Sequence, residues 1–284
     1  MKPFSCIKLL RPVQWLKNLM LFFPPFLGGN LLQQGLFAAG ILPVAIFCIA
    51  SSATYILNDI ADRDCDREHP IKKFRPLPSG EVTVSQALLL AGVLLAAAIL
   101  LALSISGKFL IFLLAYLLVA VAYSFSLKEY PIIDLFCISS GFLLRLLAGG
   151  EAFGVVVSEW LFLSVFLLAL FLSTGKRLSE KNSLGEHAGN HRKSLSGYPD
   201  GFLNGILFMT GSAVLVTYTM YVVSRHKLIL LYTVPLCCFG LLRYLLRVLS
   251  GKGGDPTESL TKDMPLLVTG LLWAFMVGWG IYGQ

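Results

Sequence analysis

Long apolar runs, each near the twenty residues that a helix needs to cross the hydrocarbon core of a bilayer, constrain this chain more than anything else in it. Nine can be placed, at approximately 16–34, 36–57, 84–105, 108–127, 131–152, 158–175, 202–224, 227–249 and 264–282. Runs of this length favour helices over the shorter tilted strands of a barrel. The expected fold is therefore all-α, a multi-pass transmembrane bundle of about nine helices. Only 14% of the residues are charged, against about 25% in a soluble domain, so an integral membrane protein is expected. The third run is the cleanest, with no charge from Ala87 to Leu103. The first is interrupted by Lys17, Asn18 and the Pro24-Pro25 pair. With no internal repeat, one domain over residues 1–284 is expected, with polar loops at about 58–83 and 176–201. No cleavable signal peptide is expected, because no small-residue cleavage pattern follows the first run.

Charge gives the sidedness. With the N-terminus inside, one set of loops holds most of the cations, among them Lys8, Arg11, Lys72, Lys73, Arg75, Lys128, Lys176, Arg177, Arg192 and Lys193. The opposite loops hold only Lys108, Arg225 and Lys227. The positive-inside rule puts the first set in the cytoplasm. Both long polar loops fall there, so an active face on the cytoplasmic side of the cell (inner) membrane is expected. Topology and contact with anionic lipid account for the cations. They do not account for five acidic residues between Asp59 and Glu68.

Placed on a helix that extends the second run, Asp59, Asp62 and Asp66 fall within an arc of roughly 60°, with Asn58 beside them and Asp64 on the far side. Carboxylates so placed repel one another unless a cation sits among them. Magnesium takes oxygens from a few carboxylates, phosphates and water, so this face reads as a site for Mg2+ and a diphosphate. The other reading is a solvated loop with local ion pairs to Arg63, Arg67, Lys72 and Lys73. The six cysteines have no metal-like spacing and are expected to pack or stay free, with no disulfide. His187 and His191, four apart, lack a third ligand for zinc. No nucleic-acid partner is expected.

The pattern Asn58-Asp59-x-x-Asp62-x-x-x-Asp66, followed by Arg75-Pro76-Leu77-Pro78-Ser79-Gly80, resembles the UbiA superfamily of intramembrane prenyltransferases. The resemblance implies that Asp59, Asp62 and Asp66 bind magnesium and that, with Asn58, they form the catalytic motif that holds a donor diphosphate. Aromatic prenyltransferases of the superfamily carry a second aspartate-rich motif in the later polar loop. Here that loop reads Gly175-Lys176-Arg177-x-x-Glu180 and continues through Arg192-Lys193-Ser194. Cations bind a bare phosphate directly. The segment is similar to one branch of the superfamily, the decaprenyl-phosphate phosphoribosyltransferases. Two more segments are similar to that branch: Arg11-Pro12-x-Gln14-Trp15-x-Lys17-Asn18, and Tyr123-Ser124-x-x-Leu127-Lys128 leading to Asp134 and Arg145.

The resemblance implies phosphoribosyl pyrophosphate as donor, a polyprenyl phosphate as acceptor and Mg2+ as cofactor. Expected substrate-binding residues are Gln14, Lys17, Asn18, Arg75, Tyr123, Lys128, Asp134, Arg145, Lys176, Arg177, Glu180, Arg192 and Lys193. Arg145 lies eleven residues after Asp134, about 16 Å along a helix. So deep an arginine needs a polar cavity or a partner, and it reads either as a phosphate ligand or as an internal packing pair. Arg243 and Arg247 are expected to snorkel to the interface. Trp15, Trp160, Trp273 and Trp279 are expected as interfacial or lipid-facing anchors. An aromatic prenyltransferase of the same superfamily stays open as an alternative. A transporter is disfavoured, because its ion site would sit near the bilayer midplane on broken, repeated helices. A homo-oligomer is compatible with the sequence, which leaves the oligomeric state open.

Overall fold

The computed structural model describes residues 3–68, 72–184 and 193–283. Among them there is no strand, and eight helices are long and apolar enough to cross a bilayer. In chain order the helices are α1 (Pro3–Leu10), α2 (Phe23–Gly28), α3 (Leu36–Ala39), α4 (Ile41–Ala61), α5 (Arg63–Glu68), α6 (Val84–Ala102), α7 (Gly107–Phe125), α8 (Ile133–Ala152), α9 (Glu159–Leu184), α10 (Lys193–Ser196), α11 (Phe202–Ser224), α12 (Leu228–Leu231), α13 (Thr233–Leu249), α14 (Pro256–Lys262) and α15 (Met264–Tyr282). The chain divides into two compact units. The first takes the described residues within Met1–Pro25, Asn30–Lys128 and Leu144–Val156; the second takes the rest.

In the first unit α4 is central, packed against α6, α7, α1 and a 3₁₀ segment Pro12–Phe22. That segment replaces the first expected span. Pro24 and Pro25 fit only the opening turn of a helix, where missing N–H groups cost nothing. The short α2 that they open ends at Gly28, before Gly29 at φ 81. A 3₁₀ helix has three residues per turn, so Trp15, Asn18 and Leu21 form one stripe. All three face α4. The Trp15 indole donates to Ser52 Oγ at 2.9 Å, the Asn18 amide to Ser51 Oγ at 3.3 Å, and Leu21 enters the core of Ile46, Phe47, Ala50 and Phe109. Trp15 is exposed along its ring while its N–H finds a hydroxyl. Gly149 of α8 lets this segment approach closely, since a Cβ there would lie 2.2 Å from the Leu21 carbonyl oxygen.

A second cluster of the same unit holds the loop after α5. Leu77 and Val82 are buried with Leu9, Ile56, Ala87 and Ala91. Thr83 then caps α6 reciprocally with Gln86, as its Thr-x-x-Gln spacing dictates.

In the second unit α9 packs along α11, and α13 packs against α15. Phe171, Leu178, Leu203, Leu207, Tyr244 and Val248 form the core. Gly254, in the loop before α14, lies against the backbone of Gly175 on α9; a Cβ there would come within 2.4 Å of the Gly175 carbonyl. Arg243 and Arg247 do not snorkel. Both turn to Asp263, Arg243 with a forked pair at 3.0 Å and Arg247 at 3.2 Å. Trp273 donates to the Tyr218 hydroxyl at 2.7 Å rather than facing lipid alone.

Candidate functional site

The acidic motif sits where α4 gives way to α5. Helical hydrogen bonding carries through the junction, Asp62 N to Asn58 O at 2.9 Å and Asp66 N to Asp62 O at 2.8 Å. The helical spacing read from the sequence therefore holds. Asp64 points away and is exposed, with local ion pairs to Arg63 and Arg67. Asp59 and Asp66 are buried, and Asn58 donates to Asp62 Oδ2 at 2.9 Å.

Each aspartate of the face meets a cation from another part of the chain. Arg11 binds Asp59. Arg75 Nη1 bridges Asp59 Oδ1 at 3.1 Å and Asp66 Oδ2 at 2.7 Å. Lys72 stands 3.6 Å from Asp66, and Lys128 binds Asp62. Lys8, Arg11, Asp59, Lys72, Phe74, Arg75 and Pro76 line a cavity of about 360 Å³, within the roughly 300–1,000 Å³ of small-ligand sites. Four of its seven lining residues are cations, so it suits an anion of several charges.

Three carboxylates on one face are hard oxygen donors of the kind magnesium takes, and the point between Asp59 and Asp66 already carries a positive charge, that of Arg75. The donor chemistry fits such an ion. Among the described residues, no three His, Cys, Asp or Glu side chains are gathered as a ready ligand set; Asp59, Asp62 and Asp66 each pair with cations instead.

The remaining expected residues fall into other groups. Arg145 is buried, its Nε donating to Asn18 Oδ1 at 2.8 Å and its Nη2 to the Tyr116 hydroxyl at 3.0 Å, with the guanidinium 4.5 Å from the Tyr116 ring centre. Gln14, Lys17 and Tyr123 are half-buried. In the second unit, Arg177 and Asp134 are fully enclosed and paired at 2.6 Å, with Glu180 on the same guanidinium at 2.8 Å and the Tyr198 hydroxyl on Asp134 at 2.7 Å. Burial pushes the Tyr198 phenol above its usual range, so it stays a donor to Asp134. Lys176 pairs with Asp255 at 2.9 Å and Lys193 with Glu129 at 3.0 Å. Arg192, like His69, His187 and His191, lies outside the described residues.

Sequence reasoning missed Arg11, Lys8 and Phe74 at the cavity and Tyr116 beside Arg145. Arg11 opens the Arg-Pro-x-Gln-Trp segment, which was the available signal. Its pairing with a residue 48 positions away left none.

The family model described as the UbiA prenyltransferase family matches residues 21–273. Decaprenyl-phosphate phosphoribosyltransferase of Mycolicibacterium smegmatis is 33% identical, covering 97% of this chain and 92% of that protein. The protein of the same name from Corynebacterium glutamicum is 34% identical over 97% of this chain and 86% of its own length. Among solved structures, a UbiA homolog from Archaeoglobus fulgidus bound to GPP and Mg2+ superposes with a TM-score of 0.73 at 21% identity, covering 99% of this chain and 100% of that one. At that identity the likeness speaks for the fold.

Proposed function

The chain belongs to the UbiA prenyltransferase family of integral membrane transferases, and from that premise we propose that it moves a 5-phosphoribosyl group from phosphoribosyl pyrophosphate to a polyprenyl phosphate of the decaprenyl type, releasing pyrophosphate. The observation that carries this reading is one-third identity over nearly the whole length to two proteins of that name. The four cations lining the cavity at Asp59 support it, since a donor with a diphosphate and a further phosphate needs several positive partners.

In this reading the bond from ribose C1 to the pyrophosphate oxygen breaks, and its electron pair leaves with pyrophosphate. An anionic oxygen of the lipid phosphate forms the new bond to C1. That oxygen carries no proton that must be removed, so no general base is needed. Asp59, Asp62 and Asp66 would hold Mg2+, which when bound supplies charge neutralisation to the leaving diphosphate. Arg75, Lys72 and Lys8 steer and hold the diphosphate by charge-assisted hydrogen bonds. Lys128 positions Asp62, and Asn58 orients the same carboxylate. Arg145 acts on the core side, fixing Asn18 and hence the 3₁₀ segment. Arg177, enclosed by Asp134 and Glu180, holds α9 in place rather than reaching for substrate. Lys17, Lys176, Arg192 and Lys193 stay assigned to phosphates of donor and acceptor. The cation distribution along the loops supports a cytoplasmic active face in the cell membrane.

An aromatic prenyltransferase is the second reading. One observation favours it: 34% identity to a 4-hydroxybenzoate octaprenyltransferase of Legionella pneumophila, confined to 42% of this chain. A paired assay on purified protein with Mg2+ decides. One reaction contains labelled phosphoribosyl pyrophosphate and decaprenyl phosphate; the other contains labelled prenyl diphosphate and 4-hydroxybenzoate. Label from phosphoribosyl pyrophosphate passing into the organic phase is the expected result. Label on the aromatic acceptor alone would overturn the proposal.

A further inference from the structure

The cations around the acidic motif are not equivalent to bulk salt bridges. The side chains of Asp59 and Asp66 are each 4% exposed, whereas those of Arg11 and Arg75 are 23% and 32% exposed. The carboxylates are thus sealed from water and the guanidiniums stand at the cavity mouth, lining the space that an anion would enter. A buried carboxylate stripped of its partner is strongly unfavourable. Without Arg11, Asp59 would keep only Arg75, which it shares with Asp66, so a second cation is needed to take its place. Equally, a metal ion arriving alone must displace guanidiniums that then face the cavity with no anion to receive them. A divalent cation and a diphosphate arriving together satisfy both sides at once.

Arg11 is built for such a move. It is a non-glycine residue at φ 50, ψ 60, directly before Pro12, a conformation that proteins keep where surrounding contacts hold it, often at functional sites. Its guanidinium also lies 5.4 Å from the Tyr55 ring centre, so it has an aromatic face to rest against while its hydrogen bonds change.

We propose that Arg11 is an exchange residue, which neutralises Asp59 until a divalent cation takes that carboxylate, then turns its guanidinium to a phosphate oxygen in the same cavity, so that metal and diphosphate bind cooperatively. This rests on the metal–diphosphate reading of the motif given above. It adds a residue to the site and a thermodynamic coupling between two ligands. Coupling of this kind is reciprocal and typically about 5- to 150-fold.

The test uses the full chain purified in detergent and two separate affinities. Mn2+ alone is followed by the loss of its free EPR signal, and labelled pyrophosphate is followed by equilibrium dialysis at saturating Mg2+. Arg11→Gln should shift the two in opposite directions: Mn2+ alone tighter by at least about fivefold, Mg2+–pyrophosphate weaker by at least about fivefold, the lower end of that range. A merely structural arginine weakens both, and a simple anion ligand weakens only the second; either result overturns the exchange. Asp59→Asn separates the two layers of the argument. If it leaves Mn2+ binding intact, the metal-site reading itself fails and the exchange fails with it. If it abolishes Mn2+ binding while Arg11→Gln moves neither affinity, the metal site stands and the exchange alone is wrong. Thermal unfolding reports whether Arg11→Gln folds. If it does not, Arg11→Met, which keeps an apolar stem and also removes the charge, must show the same two signs.

Discussion

Asp59 and Asp263 are near twins with different tasks. Each side chain is 4% exposed and each faces two arginines. Around Asp263 both arginines stand on one helix. Arg243 and Arg247 come from successive turns of α13, and the carboxylate also caps α15 through Leu266 N at 3.1 Å. Around Asp59 the partners come from residues 48 and 16 positions away, and they line a cavity. Asp263 uses its charge to tie two helix ends together. Asp59 presents its charge at a cavity, held by cations that line it. Burial and ion pairing alone do not mark a functional carboxylate; a cavity lined by its partners does.

Substitution should split the pair. Asp59→Asn is expected to lower turnover by at least about 100-fold, the scale of losing one group that stabilises transition-state charge. Its half-exposed arginines can turn to water, so Tm should move by less than about 3 °C in a chain of this size. Full activity in the assay above would remove Asp59 from the site. Arg145→Leu tests an intermediate case. It strands the buried Asn18 oxygen, at roughly 1–3 kcal/mol, and a denaturation midpoint unchanged beside lost activity would return Arg145 to the role of phosphate ligand. Asp263→Asn should leave turnover per folded molecule within about threefold, under 1 kcal/mol of barrier, while lowering Tm. That loss has a pH signature. The hydrogen bond from Arg243 holds the Asp263 carboxyl at about 2, below the roughly 3.9 of an unfolded aspartate. A depressed carboxyl stabilises the fold above its unfolded value, and that contribution is lost as pH falls through the folded value. The Tm gap between wild type and Asp263→Asn should therefore be constant above about pH 5 and shrink between about pH 4 and 2. A gap that persists at pH 2 would mean the pairing with Arg243 and Arg247 is not its source.

Most of the spanning helices were legible because length and apolarity dictate them with no knowledge of neighbours. The motif face was legible for the same reason: helical periodicity is local, and Asp64 separated from Asp59, Asp62 and Asp66 as the spacing requires. The first span was not, because a 3₁₀ stripe of Trp15, Asn18 and Leu21 has a period that an α-helical reading passes over. Tertiary pairing was invisible throughout. Nothing near Arg243 in sequence announces Asp263 twenty residues later, and nothing near Asp59 announces Arg11. The cations of the later loop were read as phosphate ligands because they stand where another family branch has aspartates. Lys176, Arg177 and Lys193 also have acidic partners in Asp255, Asp134, Glu180 and Glu129, pairings that no composition argument could show.

The close approach of Gly149 to Leu21 makes the 3₁₀ segment a lever. Leu21 is clamped in the apolar core at one end. Arg11 sits ten residues away at the other, about 20 Å along the axis at the rise of such a helix. A single methyl group added at position 149 would meet the Leu21 carbonyl and press on a segment that Trp15 and Asn18 also pin to α4. The place of the cation at the polar mouth thereby depends on packing at the apolar end of the same segment.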